Sequence, residues 1–215
     1  DGVHRGHQEV LNAAIRIARE EGRRSGAVVF EPHPREFFAP DTPFFRLTPL
    51  PLKLELLEAL GLDQTFVIAF DQALASLSAE AFASDVVAEG LGASHVVVGH
   101  DFSYGKGRTG TTEGLAALGR TLGFGVDVVA PVGAHGATFS SSRIREHLRH
   151  GETREAADQL GYWWRVRGRV EGKSVETSIL EAYVLMVGDE SLADAVKQQI
   201  EGERRCVEWA VASAI

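Results

Sequence analysis

The chain has 215 residues, 44% of them hydrophobic, with 30 acidic and 22 basic side chains and a formal net charge of −8. That length and apolar content allow one full domain plus a smaller piece with a real core, and the acidic balance argues against the broad basic field that non-specific nucleic-acid binding needs. A single cysteine, Cys206, excludes an internal disulfide and fits a reducing compartment, where a small buried residue is the expectation for it. No apolar run is long enough to span a bilayer and no signal peptide opens the sequence, so a soluble, cytoplasmic protein without a membrane partner is expected.

In chain order, short β-branched runs alternate with helical stripes. The first helix candidate is "HQEVLNAAIRIAREEG", with Val10, Leu11, Ala14, Ile15 and Ala18 on one stripe. The strand candidates are "GAVVFEP" (26–32), "TFVIAF" (65–70), "SHVVVGHDF" (94–102) and "VDVVAPV" (126–132). Nearly continuous apolar runs of this kind suit strands covered on both faces. Between them lie "PLKLELLEALG" and "AEAFASDVVAEGLG", each ending at glycine, and then "GTTEGLAALGRTLG". This alternation predicts an α/β fold with a doubly wound parallel sheet of at least four strands over roughly residues 24–135. Ligands of such sheets sit at the carboxyl ends of the strands. A further helix carries Ile144, Leu148 and Ala156. After Gly161 the character changes: "YWWRVRGRVEG" reads as a strand and its turn, and from Val175 the pattern is helical. The expected organisation is a domain over 1–160, a linker over 161–174 and a helical appendage over 175–215.

Three stretches carry chemistry. In "DGVHRGH", Gly2 and Gly6 allow close backbone approach, and His4 and His7, three apart, can share one side of a first helical turn. Unpaired N–H groups and the positive dipole end of the helix favour an anion there. Exposed loop histidines are the bland alternative; a metal site lacks a third ligand at matching spacing. In "FSSSRIREHLRHG", Ser140, Ser141 and Ser142 open a helix. Serines are common caps, but Arg143 and Arg145 beside them add the charge that a polyphosphate needs. In "VGHDFSYGKGRTG", four glycines, Phe102 and Tyr104, and Lys106 and Arg108 follow a strand end and suggest a binding loop.

"DGVHRGH", "FEPHPREFF", "VVVGHDFSYGKGRTG" and "SSSRIREHLRHGETREAADQLG", in that order and spacing, resemble the adenylyltransferase module of the prokaryotic bifunctional riboflavin kinase/FAD synthetase family over about residues 1–172. The resemblance implies a Rossmann-like nucleotidyltransferase fold and the reaction of FMN with ATP and Mg²⁺ to give FAD and pyrophosphate. It implies that His4, His7 and Arg143 act at the reacting phosphates, with Gly2, Gly6, Ser140, Ser141, Ser142 and Arg145 binding ATP. It places His33, Pro34, Asp101, Phe102 and Arg108 at FMN. In the family a strand precedes the Asp-Gly pair. The sequence given opens on that pair, so an impaired enzyme is one expectation. "GYWWRVRGRVEG" resembles the entry to the family's kinase barrel, but residues 175–215 instead resemble the helical part of phosphoenolpyruvate-dependent phosphotransferase enzyme I, without its phosphohistidine signature. No riboflavin kinase activity is therefore expected. The competing readings are another small-molecule nucleotidyltransferase, a non-catalytic flavin or nucleotide binder, and an interaction module whose tail meets a protein partner.

Overall fold

The structure, a computed structural model, describes residues 1–134 and 137–165. The chain divides into two compact units. The larger comprises Gly6–Pro40 and Leu50–Thr138; the other comprises Asp1–Arg5, Asp41–Pro49 and the described chain from Phe139 onward. The end of the expected linker, the expected helical appendage (175–215) and Cys206 lie outside the described residues.

The larger unit is an α/β arrangement in the order expected. Helix α1 (Arg5–Glu20) leads to β1 (Gly26–Glu31), followed by a short α2 (Pro34–Phe38), then α3 (Leu50–Ala59) and β2 (Gln64–Ala69). Two single turns, α4 (Gln72–Ala75) and α5 (Ala79–Ala81), run into a π-helix over Phe82–Gly90. Next come β3 (His95–Gly99), α6 (Thr112–Leu122) and β4 (Gly125–Val129). A two-residue antiparallel pair, β5 (Gly133–Ala134) with β6 (Ala137–Thr138), closes the unit.

Both long pairings are parallel. β1 runs beside β2 with Gly26 opposite Gln64 and Glu31 opposite Ala69; β3 runs beside β4 with His95 opposite Gly125 and Gly99 opposite Val129. The strands form two such pairs and not one four-stranded sheet. Each pair is joined by helical crossover, the connection that parallel strands require. Apolar periodicity locates strands but does not say which neighbour each one takes, so the division into two pairs was not legible in the runs. Val28, Val67 and Val128 remain 38–46% exposed, so the strands are not covered on both faces as the apolar runs suggest.

The stripe on α1 is met by burial of Ile15, joined by Ile17, which the stripe omits. Ala83, Val87, Val98, Leu115, Phe124 and Tyr104 form the core around β3 and the π-helix. Ser25 and Asp63 fix the start of the first strand pair: the Asp63 carboxylate accepts hydrogen bonds from the Ser25 N–H (2.7 Å) and Oγ (2.8 Å).

In the smaller unit, α7 (Ser141–Arg149) and α8 (Thr153–Leu160) stand where a single helix is expected. The break falls at Gly151, whose φ of 73° ends α7 in the left-handed region. Ile144, Leu148, Ala156 and Leu160 still share one core with Phe45 and Leu47, against which Tyr162 and Trp164 pack. The periodicity therefore survives the break, because both helices bury the same stripe.

The bonds from the Ser25 N–H, then from its hydroxyl, hold the Asp63 carboxyl below its ordinary value of 3.8. A depressed folded-state pKa contributes stability that is complete above the unfolded value and is lost as pH falls through the folded one. Asp63→Asn should therefore lower the melting temperature at neutral pH and flatten its fall below about pH 3.8. Melting curves of both proteins across that range check this; parallel pH profiles would count against it.

Candidate functional site

The smaller unit is organised on Asp1. Its side chain is 2% exposed and ion-paired with the Arg145 guanidinium, itself 7% exposed. The same carboxylate accepts hydrogen bonds from the Leu47 N–H (2.9 Å), the Thr48 N–H (3.2 Å) and the Thr48 hydroxyl (3.0 Å). Arg145 donates from Nε to the Phe45 carbonyl at 2.6 Å and lies over the Phe44 ring at 4.6 Å. The Ser141 hydroxyl donates to the Asp1 carbonyl at 2.6 Å. Two motifs 140 residues apart in sequence thus meet at one residue. The Gly2 N–H donates to the Thr48 hydroxyl (3.0 Å), and the Gly2 carbonyl accepts from the Tyr162 hydroxyl (2.6 Å). Burial pushes the Tyr162 phenol far above its ordinary pKa, so it stays a neutral donor.

Arg145 and Gly2 are both engaged within the protein. Arg145 is buried and its guanidinium is held by Asp1 and Phe45, which places it to hold the turn. Gly2 has φ 91°, and a Cβ there would fall 2.8 Å from Leu47 Cδ1. The side on which a Cβ would stand faces the core residues Leu47 and Leu160. Gly6 is the second residue of α1.

The other residues of these motifs divide by exposure. Ser140 is the N-cap of α7, its hydroxyl accepting from the Arg143 N–H at 3.2 Å. Ser142 and Arg143 are exposed on the first turn of the same helix. His4 is 7% exposed, immediately before α1, and His7 is half-buried within its first turn.

The residues that the resemblance places at FMN (His33, Pro34, Asp101, Phe102 and Arg108) all lie in the larger unit. His33 caps α2: its Nδ1 accepts from the Arg35 N–H at 3.1 Å, and its own N–H donates to the Glu36 carboxylate at 3.3 Å. Pro34 occupies the first helical position, where its fixed φ is already helical. Asp101 is 85% exposed at its side chain. Phe102 stacks on Tyr104 with centroids 5.4 Å apart and planes at 15°. Tyr104 pairs with Gly110 across the loop, and a Cβ on Gly110 would fall 2.6 Å from the tyrosine ring. Only glycine lets the loop close over that ring. Arg108 is exposed and donates from Nε to the Ser103 hydroxyl at 2.7 Å.

Phe102 belongs to a row of aromatic contacts within the unit. Phe102 meets Tyr104, Tyr104 meets Phe82 (5.5 Å), Phe82 meets Phe30 (6.5 Å), Phe30 meets Phe70 (5.7 Å), and Phe70 meets Phe37 and Phe38 (5.3 and 5.7 Å). The row runs from the glycine-rich loop to α2. It ends at Phe38, which is 67% exposed. Sequence reading missed Phe38, Phe70 and Phe82, whose common row depends on strand placement. It also missed Asp1 as the partner of Arg145; an acidic residue heading a basic motif was the available signal. Among the described residues no group of three or more His, Cys, Asp or Glu is gathered to hold a metal, and no helix is long and apolar enough to cross a membrane.

Comparison with known proteins gives the family. The FAD synthetase family model matches residues 1–143, and a model of the PEP-utilising enzyme N-terminal region matches residues 141–215. A bifunctional riboflavin kinase/FMN adenylyltransferase of Pseudomonas fluorescens is 39% identical over 170 residues, covering 79% of this chain and 54% of that protein. The chain thus spans about half the length of such bifunctional relatives. An FAD synthetase of Listeria monocytogenes is 34% identical over 187 residues, covering 86% of this chain and 74% of its own length. A solved structure named a macrolide-efflux protein, from Streptococcus pneumoniae, superposes with a TM-score of 0.69 at 29% identity, over 79% of this chain and 64% of the other. With more than half of its residues matched by the family model, and a relative of that name aligned over most of both lengths, the chain belongs to the FAD synthetase family.

Proposed function

We propose that the chain transfers AMP from ATP to FMN, giving FAD and pyrophosphate. The observation that carries this reading is the junction at Asp1, where the histidine turn and the serine–arginine helix are bonded together although 140 residues separate them. Capping α7 needs only Ser140; tying its next serine to the turn that bears His4 serves a shared task.

In the reaction a phosphate oxygen of FMN attacks the α-phosphorus of ATP. A P–O bond forms there as the bond to the departing pyrophosphate breaks. No side-chain nucleophile takes part, so the protein's contribution is alignment and stabilisation of developing charge. His4 and His7 are assigned to the phosphates as imidazole donors. Ser142 and Arg143, exposed on the first turn of α7, are assigned to the polyphosphate together with the helix N-terminus. Arg145 acts through Asp1, as a positioning residue.

Mg²⁺ enters as the Mg–ATP substrate. The Asp1 carboxylate is engaged by Arg145 and Thr48. The exposed Ser142 hydroxyl and Arg143 guanidinium suit phosphate oxygens, and Mg²⁺ commonly keeps waters and substrate phosphates as its ligands.

The aromatic row favours a flat ligand on the acceptor side. It ends at Phe102 in the glycine-rich loop and at exposed Phe38 in the helix that His33 caps, and aromatic faces suit an isoalloxazine more than pantetheine or glycerol phosphate. Asp101 and Arg108 are assigned to the same ligand, Arg108 to its phosphate. The domain limits proposed are 1–160 for this activity and 175–215 for an appended segment, in the cytoplasm.

Two outcomes are expected. His7→Ala and Arg143→Ala should each slow FAD formation roughly a hundredfold, the loss of one charge-stabilising donor, about 3 kcal/mol of barrier. FMN binding, followed by flavin fluorescence, should change little; unaltered turnover in both variants refutes the assignment. Arg145→Ala should behave differently. Leaving the Asp1 carboxylate buried without its cation costs about 3–5 kcal/mol of folding stability, whereas exposed Arg143→Ala should stay within about 0.5 kcal/mol. Urea melts of the two variants check this contrast.

A further inference from the structure

Among the described residues, two that are not glycine adopt a positive φ: Val3 at 40° and Arg108 at 59°. One stands directly before His4, the other in the glycine-rich loop. For a β-branched residue the left-handed region is a genuine outlier, because the branched Cβ crowds the following carbonyl. Such a conformation persists only where the surroundings over-determine it.

At Val3 the surroundings do. On its N-terminal side, the Asp1 carboxylate is held by Arg145, Leu47 and Thr48, and the Asp1 carbonyl by Ser141. Gly2 is held through its N–H by Thr48 and through its carbonyl by Tyr162. On its C-terminal side α1 begins at Arg5. The Val3 side chain is 6% exposed, so packing as well as backbone bonding keeps it in place. Gly2, at φ 91°, and Val3 are two successive residues of positive φ, directly before His4.

We propose that Val3 is a positioning residue: its enforced left-handed backbone, locked by a buried branched side chain, sets the direction in which His4 leaves the turn. Glycine would relieve the strain and populate both signs of φ. The turn would then lose the single orientation that a histidine at a phosphate needs. The inference rests on the adenylyl-transfer reading for its rate effect, and on the strained backbone alone for its effect on stability and on the His4 ring.

The test compares Val3→Ala with Val3→Gly in the full chain, since both lack the isopropyl group and differ in their tolerance of positive φ. Val3→Gly should melt about 2–4 °C above Val3→Ala, the reverse of the usual order for these residues. Its kcat for FAD formation should be about tenfold below that of Val3→Ala, with KM for ATP within about twofold. The His4 imidazole resonance, assigned by its loss in His4→Gln, should be single in Val3→Ala and broadened or doubled in Val3→Gly. A Val3→Gly protein melting at or below Val3→Ala overturns the strain, and equal kcat overturns its use in positioning. If the parent chain makes no FAD, the function reading fails by itself; a sharp single His4 signal in Val3→Gly then overturns the positioning claim. If both small variants fail to fold, Val3→Asn against Val3→Thr asks the same question. Asparagine tolerates the left-handed region and threonine does not, so the Asn variant should melt higher, and the reverse order overturns the proposal.

Discussion

A carboxylate taken out of water must be met by positive charge and by donors for its remaining lone pairs. In the smaller unit that requirement falls on Asp1, and it fixes nearly everything near the histidine turn. Arg145 supplies the charge, while the backbone N–H groups of Leu47 and Thr48 and the Thr48 hydroxyl supply the donors. Three segments distant in sequence are thereby held at one point: the turn, the strip around Thr48, and α7. The apolar core of Leu47, Ile144, Leu148 and Leu160 lies on the same segments. The ion pair selects which parts of the chain meet; the apolar packing beneath supplies most of the favourable free energy, since a buried pair by itself stabilises weakly.

This division explains why two arginines two residues apart differ in role. Residues two apart on a helix do not share a face. Ile144, Arg145 and Leu148 are buried on α7, whereas Ser142, Arg143 and Glu146 point to solvent. One arginine is therefore available to an anion and the other to Asp1. Motif reading treats them as equivalent because it weighs residue type and spacing, and burial is a property of neither.

The element order was largely legible in the sequence because it rests on local physics. β-Branched runs marked β1 to β4 to within a few residues, and apolar spacing marked α1, α3 and α6. The pairing of those strands was not, since hydrogen-bond partners are chosen by tertiary geometry. Gly151 is a similar case: its spacing permits one helix, and the left-handed φ that splits it is decided by how α8 packs back on Leu47 and Phe45. At the site, the histidines, serines and Arg143 could be read from motif chemistry. The aromatic row could not, because Phe30, Phe70, Phe82 and Phe102 come from four separate segments.

The same logic sets the two ends of the chemistry apart. In the proposed reaction the residues assigned to the phosphates need a fixed backbone, because a hydroxyl or imidazole must be aimed in advance at a charge that develops only in passing. The turn meets that need: the Asp1 carboxylate and carbonyl and the Gly2 N–H and carbonyl are all bonded, and an unfavourable φ is tolerated at Val3. The residues assigned to the flavin would answer to a weaker demand, since stacking on an aromatic face is broad in geometry. A loop with four glycines is compatible with that task so long as its rings are anchored. Tyr104 provides the anchor: it is buried against Phe82 and closed over by Gly110, while Phe102 and Asp101 stay nearer the surface. Rigid polar anchoring on one side and buried aromatic anchoring on the other are two solutions to positioning, each matched to how steeply its interaction depends on distance.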